Sequence, residues 1–304
     1  MLALVAAPQS SAKLELRDVD EPTPLSNEVL VEVRALSLNR GELHRTLAAE
    51  DGWRPGWDIA GTVIQPAADG SGPAEGARVV GATTAGWAQR ATMPTQRLAE
   101  MPEGLSFELA SSLPVAGLTA LRTLRVGGLL LGKHVLVTGA AGGVGRFAVQ
   151  LAHRAGARVT AVVGNPEREK GLRQLGADEI VHEIGEGPQI YDLILESVGG
   201  PSLAHALHRV ALDGTIVSFG NSSRSETTFS VNPFYANGAR LQGFLLLLPS
   251  QPPFGSDLRY LAELVVRGEL ESQIGYEGSW RDAPTAMQAL GERKVLGKAV
   301  LRVD

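Results

Sequence analysis

Residues 133–145, KHVLVTGAAGGVG, hold the densest pattern with chemical meaning in this chain. Val135, Leu136 and Val137 make a short apolar β run that stops at a turn of glycine and alanine. A helical periodicity begins at once, with Val144, Phe147, Ala148, Leu151 and Ala152 on one face. Strand, glycine turn and helix in that order form a seat for phosphate. Glycines such as Gly142 and Gly143 let the backbone close on a diphosphate. The first helical turn, which contains Val144, offers unpaired N–H groups and a partial positive charge. A tight strand-to-helix turn needs glycine in any case, so the turn alone is weak evidence. A second β run over 158–163 follows at βαβ distance, and the two together predict a dinucleotide site.

The far end of such a site reads the adenosine ribose. An Asp or Glu after the second strand binds both ribose hydroxyls of NAD. Residues 161–165 contain no acid here; Gly164 leaves space, and Arg168 and Lys170 follow. Cations beside open space suit a 2′-phosphate, which favours NADPH. Two readings stay open beside this one. Glu167-Arg168-Glu169-Lys170 is also an ordinary exposed helix start with alternating charge, and Glu167 could turn toward the ribose. Trp53, Trp57 and Trp87 stand out in a chain with 5% aromatic residues. They are either a flat apolar wall for a planar substrate or core and lid residues of a small β domain. There is no cysteine, which excludes disulfides, thiolate catalysis and Cys-ligated zinc. Of the six histidines only His205 and His208 are three apart, on a helix read as a surface one where solvated or capping roles are the plainer reading, so no metal site is expected.

These residues need elements to place them. The chain has 304 residues, enough for two domains. Its 44% hydrophobic and 20% charged content is that of a globular protein. A net charge of −5 gives no argument for nucleic acid or an anionic membrane as partner. No apolar run is long enough to span a bilayer, and the first residues do not have the charged start and apolar run of a signal peptide. A cytoplasmic location is the resulting expectation. Residues 1–117 read as short β runs broken by Pro and Gly, which predicts a strongly bent β domain. A short helix over 106–112 has Ser106 as its N-cap, and a helix over 116–126 carries Thr119 across to a second domain. From 118 to about 250, strands over 158–163, 179–181, 192–195, 215–219 and 241–247 alternate with helices. That alternation predicts a doubly wound parallel sheet. Asn165 caps a helix that has Pro166 in its first position. A helix over 258–267, another over 283–290 and a last strand over 299–303 complete the chain.

The phrases VLVTGAAGGVG and AVQLAHRAGARV, with ALSLNRGELHR, PGWDIAGTV and AGWAQRATM before them, resemble the medium-chain dehydrogenase/reductase superfamily. The likeness is to its zinc-independent quinone oxidoreductase branch and covers nearly the whole chain. It implies a GroES-like catalytic domain made of residues 1–117 and 268–304, and a Rossmann dinucleotide domain over 118–267. It implies NADPH as cofactor and hydride transfer to a quinone or an activated C=C bond. It also implies a homodimer, with the apolar run from Phe244 to Leu248 at a sheet edge. Asn39, Trp57 and Ala116 align with or near the zinc ligands of related alcohol dehydrogenases, and none of the three can replace them. Asn39 falls beside the nicotinamide ribose and substrate, as a donor to the oxyanion or, in the plainer reading, as a turn residue. Gly164 and Arg168 match the surroundings of a 2′-phosphate. Thr119, Val198, Gly199, Phe219, Gly220, Asn221, Phe244, Leu245 and Lys298 fall at further cofactor contacts, and each could equally serve packing. All four tyrosines lie outside the N-terminal β stretch, so the proton is expected from water. Two other functions remain: an enoyl-thioester reductase, or a non-catalytic NADPH-binding sensor or structural protein.

Overall fold

The computed structural model describes residues 1–185 and 190–304. In chain order the first elements are β1 (Leu2–Ala6), β2 (Leu14–Asp18), β3 (Glu28–Leu38), α1 (Arg40–Ala48), β4 (Asp58–Gln65), β5 (Arg78–Ala82), β6 (Arg90–Pro94), β7 (Leu98–Glu100), α2 (Phe107–Ser111) and α3 (Pro114–Val126). Then come β8 (His134–Val137), α4 (Gly143–Arg154), β9 (Arg158–Val162), β10 (Glu179–Val181), β11 (Tyr191–Glu196), α5 (Gly200–Arg209), β12 (Val210–Ser218), α6 (Val231–Ala236) and β13 (Arg240–Gly243). The last are α7 (Gly255–Val266), β14 (Ile274–Ser279), α8 (Ala283–Gly291) and β15 (Lys298–Arg302). Two compact units result: Met1–Leu118 with Gln251–Asp304, and Thr119–Ser250. The second crossing thus falls before α7, where the sequence suggested one near residue 267. Phe254, which caps α7, donates its N–H to the Gln96 carbonyl at 2.8 Å and ties this helix start to the first unit.

The first unit is built on β3. Val29, Val31 and Val33 are buried in alternation, and from Ala35 onward every residue of the strand is buried. A strand that changes from alternating to continuous burial has one face covered at its start and both at its end. β6 pairs with residues 28–32 of β3 and β15 with residues 35–38, both antiparallel, while β4 follows the opposite edge. Register shifts on the β3–β4 ladder at Val33/Ala35 add the bend that a bulge supplies. The core gathers Leu36, Leu38, Ile59, Met93, Trp87 and Trp280. One strand of the returning segment, β14, lies where no strand was expected. Helix α1 was not expected either. Residues 40–48 carry a weak apolar stripe, and only Glu42, Leu43 and Thr46 of α1 are buried. The signal for it was local: Asn39 and Glu42 have the spacing of a capping box, and the Glu42 carboxylate accepts the Asn39 N–H at 2.8 Å.

The second unit is a six-stranded sheet ordered β10-β9-β8-β11-β12-β13, parallel throughout. Strand order reverses between β8 and β11, and in such sheets ligands bind outside the strand C-termini at that reversal. Helix α4 buries Phe147, Ala148, Leu151 and Ala152 as the periodicity predicted. Three expectations change. Asn165 does cap a turn, accepting the Arg168 N–H at 3.2 Å, but the turn is one piece of 3₁₀ helix, Pro166–Glu169. β12 begins at Val210, well before the strand expected over 215–219. The last strand ends at Gly243, so Phe244 and Leu245 lie past it.

Candidate functional site

In the second unit the turn after β8 is fixed by its own backbone. Gly139 sits at φ 59, Gly142 N–H donates to the Gly139 carbonyl at 2.9 Å, and Ala140 N–H donates to Val162 at 3.0 Å. A Cβ on Gly145 would lie 2.5 Å from the Gly139 carbonyl oxygen and 2.6 Å from Ala140 Cα. Glycine there lets α4 press onto the turn. Gly142 is the N-cap, and no side chain caps the first turn of Gly143 and Val144. The donors of that turn are the orphan N–H groups of a helix start, which suit a diphosphate. A Cβ on Gly164 would meet nothing within 4 Å, so open space lies beside the end of β9. Arg168 is half-buried and Glu167 exposed on the turn that follows. A phosphorylated dinucleotide fits these residues: donors at α4, room at Gly164 and a cation at Arg168.

The ends of β11 and β12 are held by a residue that sequence patterning did not single out. Glu196 is fully buried. Its carboxylate accepts the N–H of Val198 at 2.9 Å, the N–H of Gly199 at 3.0 Å and the Ser202 hydroxyl at 3.0 Å. Gly199 is at φ 74, and a Cβ there would lie 2.2 Å from Asn221 Oδ1. A Cβ on Gly220 would lie 3.0 Å from the Ser197 carbonyl oxygen. Val198, Gly199, Gly220 and Asn221 are therefore brought together, with Phe219 hung from Glu196 by its N–H at 2.9 Å. Thr119 is buried in α3 and accepts the Thr123 hydroxyl on its carbonyl at 2.7 Å. Phe244 N–H donates to Ser218 at 2.8 Å, and Leu245 next to it is exposed.

In the first unit Asn39 stands at the centre of a buried polar cluster. Lys298 opens β15 and is 3% exposed, and Asp58 opens β4 at 0%. Lys298 Nζ donates to Asp58 Oδ2 at 3.0 Å, to Asn39 Oδ1 at 2.7 Å and to the Leu38 carbonyl at 3.1 Å. An ammonium only donates, so the atom of Asn39 that faces it is the amide oxygen. The amide nitrogen then donates to Asp58 Oδ2 at 2.8 Å and to Glu42 Oε2 at 3.0 Å. Both N–H bonds of the Asn39 side chain are thus directed at carboxylates. The donor role toward a substrate oxyanion, expected of this residue, is not what this geometry offers. Asp58 also accepts the Ser37 hydroxyl at 2.8 Å and the Val115 N–H at 2.9 Å. Glu42 accepts the Trp57 N–H as well. Burial, reinforced by the Asp58 charge, pushes Glu42 up to about 8, against the pull of Lys298 and of the hydrogen bonds from Asn39 and Trp57.

The three tryptophans separate. Trp87 is buried to 1% in the first unit's core and presents no wall to a ligand. Trp53 and Trp57 are half-buried, and the Arg45 guanidinium lies 5.4 Å from the Trp57 ring centroid. Arg54, between them, has a buried Nε without a hydrogen-bond partner among the described residues. Asn39 and Trp57 both donate backbone N–H to Glu42, and Ala116 is buried. Among the described residues, no group of three or more His, Asp and Glu is arranged to hold a metal ion.

Two family models match: the alcohol dehydrogenase GroES-like domain over residues 25–103 and the zinc-binding dehydrogenase over residues 143–263. The chain is 30% identical to the chloroplast envelope quinone oxidoreductase homolog of Arabidopsis thaliana, over 87% of this chain and 86% of that one. It belongs to the medium-chain dehydrogenase/reductase superfamily, in the zinc-independent, quinone-oxidoreductase-like branch. An acrylyl-CoA reductase of Ruegeria pomeroyi is 34% identical over 82% of this chain and 81% of its own. The yhdH oxidoreductase from Salmonella enterica in complex with NADP superposes with a TM-score of 0.83, at 27% identity, over all of both chains. Family membership accounts for both units: the bent β unit is GroES-like and the parallel sheet is of Rossmann type.

Proposed function

We propose that the chain is an NADPH-dependent oxidoreductase that transfers a hydride, without zinc, to a quinone or to the activated C=C bond of an enone or enal. The observation that carries this is the nucleotide seat of the second unit. An uncapped α4 start, a glycine-bounded turn, open space at Gly164 and Arg168 occur together with no acid at the end of β9. Support also comes from the relatives named above, a quinone oxidoreductase homolog, an acrylyl-CoA reductase and an oxidoreductase in complex with NADP.

When bound, the dihydronicotinamide supplies the hydride. The chain's own residues bind and orient. Gly142, Gly143 and Val144 take the diphosphate on backbone N–H groups, and Gly164 and Arg168 take the 2′-phosphate. Val198, Gly199, Phe219, Gly220 and Asn221 shape the nicotinamide end, with Glu196 holding their backbones in place. Thr119, Phe244 and Leu245 line the remainder of the cofactor. Asn39, the residue that the family likeness assigns to the reaction, has its amide fixed on three sides by Lys298, Asp58 and Glu42. Trp53 and Trp57 cover the substrate. Proton delivery falls to water, since no tyrosine lies in the N-terminal strands. The first test is loss of NADPH absorbance with a panel of quinones, enals, enones and acyl thioesters. Turnover of quinones or enones supports the reading. Turnover of acyl thioesters alone would move it to enoyl-thioester reduction, and tight NADPH binding without any turnover to a sensor.

We also propose a homodimer through the edge of the second unit's sheet. Among the described residues β13 pairs with β12 alone, and all four residues of β13 are exposed. Leu241 within the strand, and Leu245 and Tyr235 outside it, are exposed apolar side chains. An unpaired edge of this kind is covered by pairing with a symmetry mate. Light scattering at micromolar concentration should give twice the chain mass, and a monomer mass would reject the dimer. No helix among the described residues is long and apolar enough to cross a membrane, and a cysteine-free chain suits the reducing cytoplasm we assign to it.

A further inference from the structure

Arg146 lies in α4 just past the glycine turn and is 3% exposed. Its Nε donates to the Ala141 carbonyl at 3.3 Å, and its Nη2 donates to the Lys170 carbonyl at 2.6 Å. Ala141 belongs to the turn that would hold a diphosphate, and Lys170 closes the 3₁₀ turn that carries Arg168. One guanidinium therefore fastens the two halves of the nucleotide seat to each other. Room was left for it: Gly171 sits at φ 83, and a Cβ there would lie 3.3 Å from Arg146 Nη1. Burial lowers the Arg146 pKa, and the nearby Arg168 charge lowers it further. A guanidinium stays protonated all the same. Arg146 stands four residues past the Gly142 N-cap, so the tie runs from the start of α4 to the turn that carries Arg168.

We propose that Arg146 is a positioning residue for the 2′-phosphate: by tying the glycine turn to the 3₁₀ turn it fixes where Arg168 stands, so that Arg146 sets the preference for a 2′-phosphorylated cofactor. This rests on the NADPH reading above. Arg146 differs from the residues usually read for cofactor choice because it precedes β9 in sequence and reaches the site from the helix.

The test uses the full chain, with calorimetry on 2′,5′-ADP, 5′-ADP and inorganic phosphate, for the unmodified protein, Arg146→Met and Arg146→Lys. The unmodified protein should bind 2′,5′-ADP at least about tenfold more tightly than 5′-ADP. Arg146→Met should lose most of that ratio, and Arg146→Lys should recover part of it because it restores the charge but not the fork between two carbonyls. Phosphorus NMR supplies a readout that a purely structural role would not move. The bound 2′-phosphate should remain dianionic well below its ordinary second pKa of about 6, and Arg146→Met should shift that titration back upward. Equal loss of 2′,5′-ADP and 5′-ADP in Arg146→Met, with the titration unmoved, would overturn the inference. So would an unchanged ratio. No preference for 2′,5′-ADP in the unmodified protein would instead overturn the NADPH reading itself. Inorganic phosphate that binds as tightly as 2′,5′-ADP would show a seat for free phosphate, and would overturn the assignment to the cofactor.

Discussion

Replacing Lys298 with Met probes the cluster that fixes Asn39. Lys298 Nζ and Asp58 Oδ2 are 3.0 Å apart, with side chains 3% and 0% exposed. At an effective dielectric of about 20, unit charges at this separation attract by roughly 5.5 kcal/mol, which is a gross figure before desolvation. Removing the cation strands a buried carboxylate, and such losses run to about 3–5 kcal/mol. Asp58 keeps three other donors, from Ser37, Asn39 and Val115, so the low end applies. We expect Lys298→Met to destabilise the fold by about 3 kcal/mol, read as a fall in the urea midpoint at pH 6.5. Asp58→Asn should cost a similar amount. The double variant should cost less than the sum of the two by about 2 kcal/mol, because the stranded charge is then gone. Simple additivity, with a coupling below about 0.5 kcal/mol, would mean that the pair does not hold the cluster together.

Three other outcomes follow from particular groups. Glu42 is held near 8 in the fold against 4.5 when unfolded, so the native state binds the extra proton between those values. Stability should then fall as pH rises through that window, by up to about 1.4 kcal/mol per unit, and level off above it. Glu42→Gln should flatten the slope in unfolding curves at pH 5 and pH 8; an unchanged slope would assign it to other groups. Arg168→Ala should weaken NADPH binding by roughly tenfold or more, the worth of one charge-assisted phosphate contact, and barely change NADH. Equal loss of both cofactors would make Arg168 a residue of the fold. Arg54 is desolvated by burial without a compensating partner among the described residues, so Arg54→Met should raise the thermal midpoint, and a lower midpoint would reveal a hidden stabilising contact.

The parallel sheet was legible because its signals are local. Val135 to Val137, the glycines after them and the periodicity of α4 lie within one βαβ unit, and each turn residue has one conformational use. The bent β unit was legible only as a class. Its strands β6 and β15 share the edge of β3 through contacts distant in sequence, which no local pattern encodes. Helix α1 escaped notice because its stripe is short and polar, although the Asn39–Glu42 spacing announced its start. The rarity of tryptophan gave no way to tell core from wall at Trp87, and burial decides for core. The Asn39 cluster shows the same limit. Lys298 and Asp58 are 240 residues apart in the chain, and only the fold brings their charges together at the amide. Arg146 was hidden in plain view: a single cation past a glycine turn reads as an exposed helix residue until its side chain is seen buried against Lys170.

The most direct measurement follows the hydride. NADPH deuterated at each face of C4 in turn is supplied with an enone, and the position of the label in the product is read by NMR. One face should deliver deuterium to the β-carbon of the enone and leave the carbonyl intact. Deuterium on a carbinol carbon, or no transfer from either face to any acceptor, would contradict conjugate reduction as the chemistry of this chain.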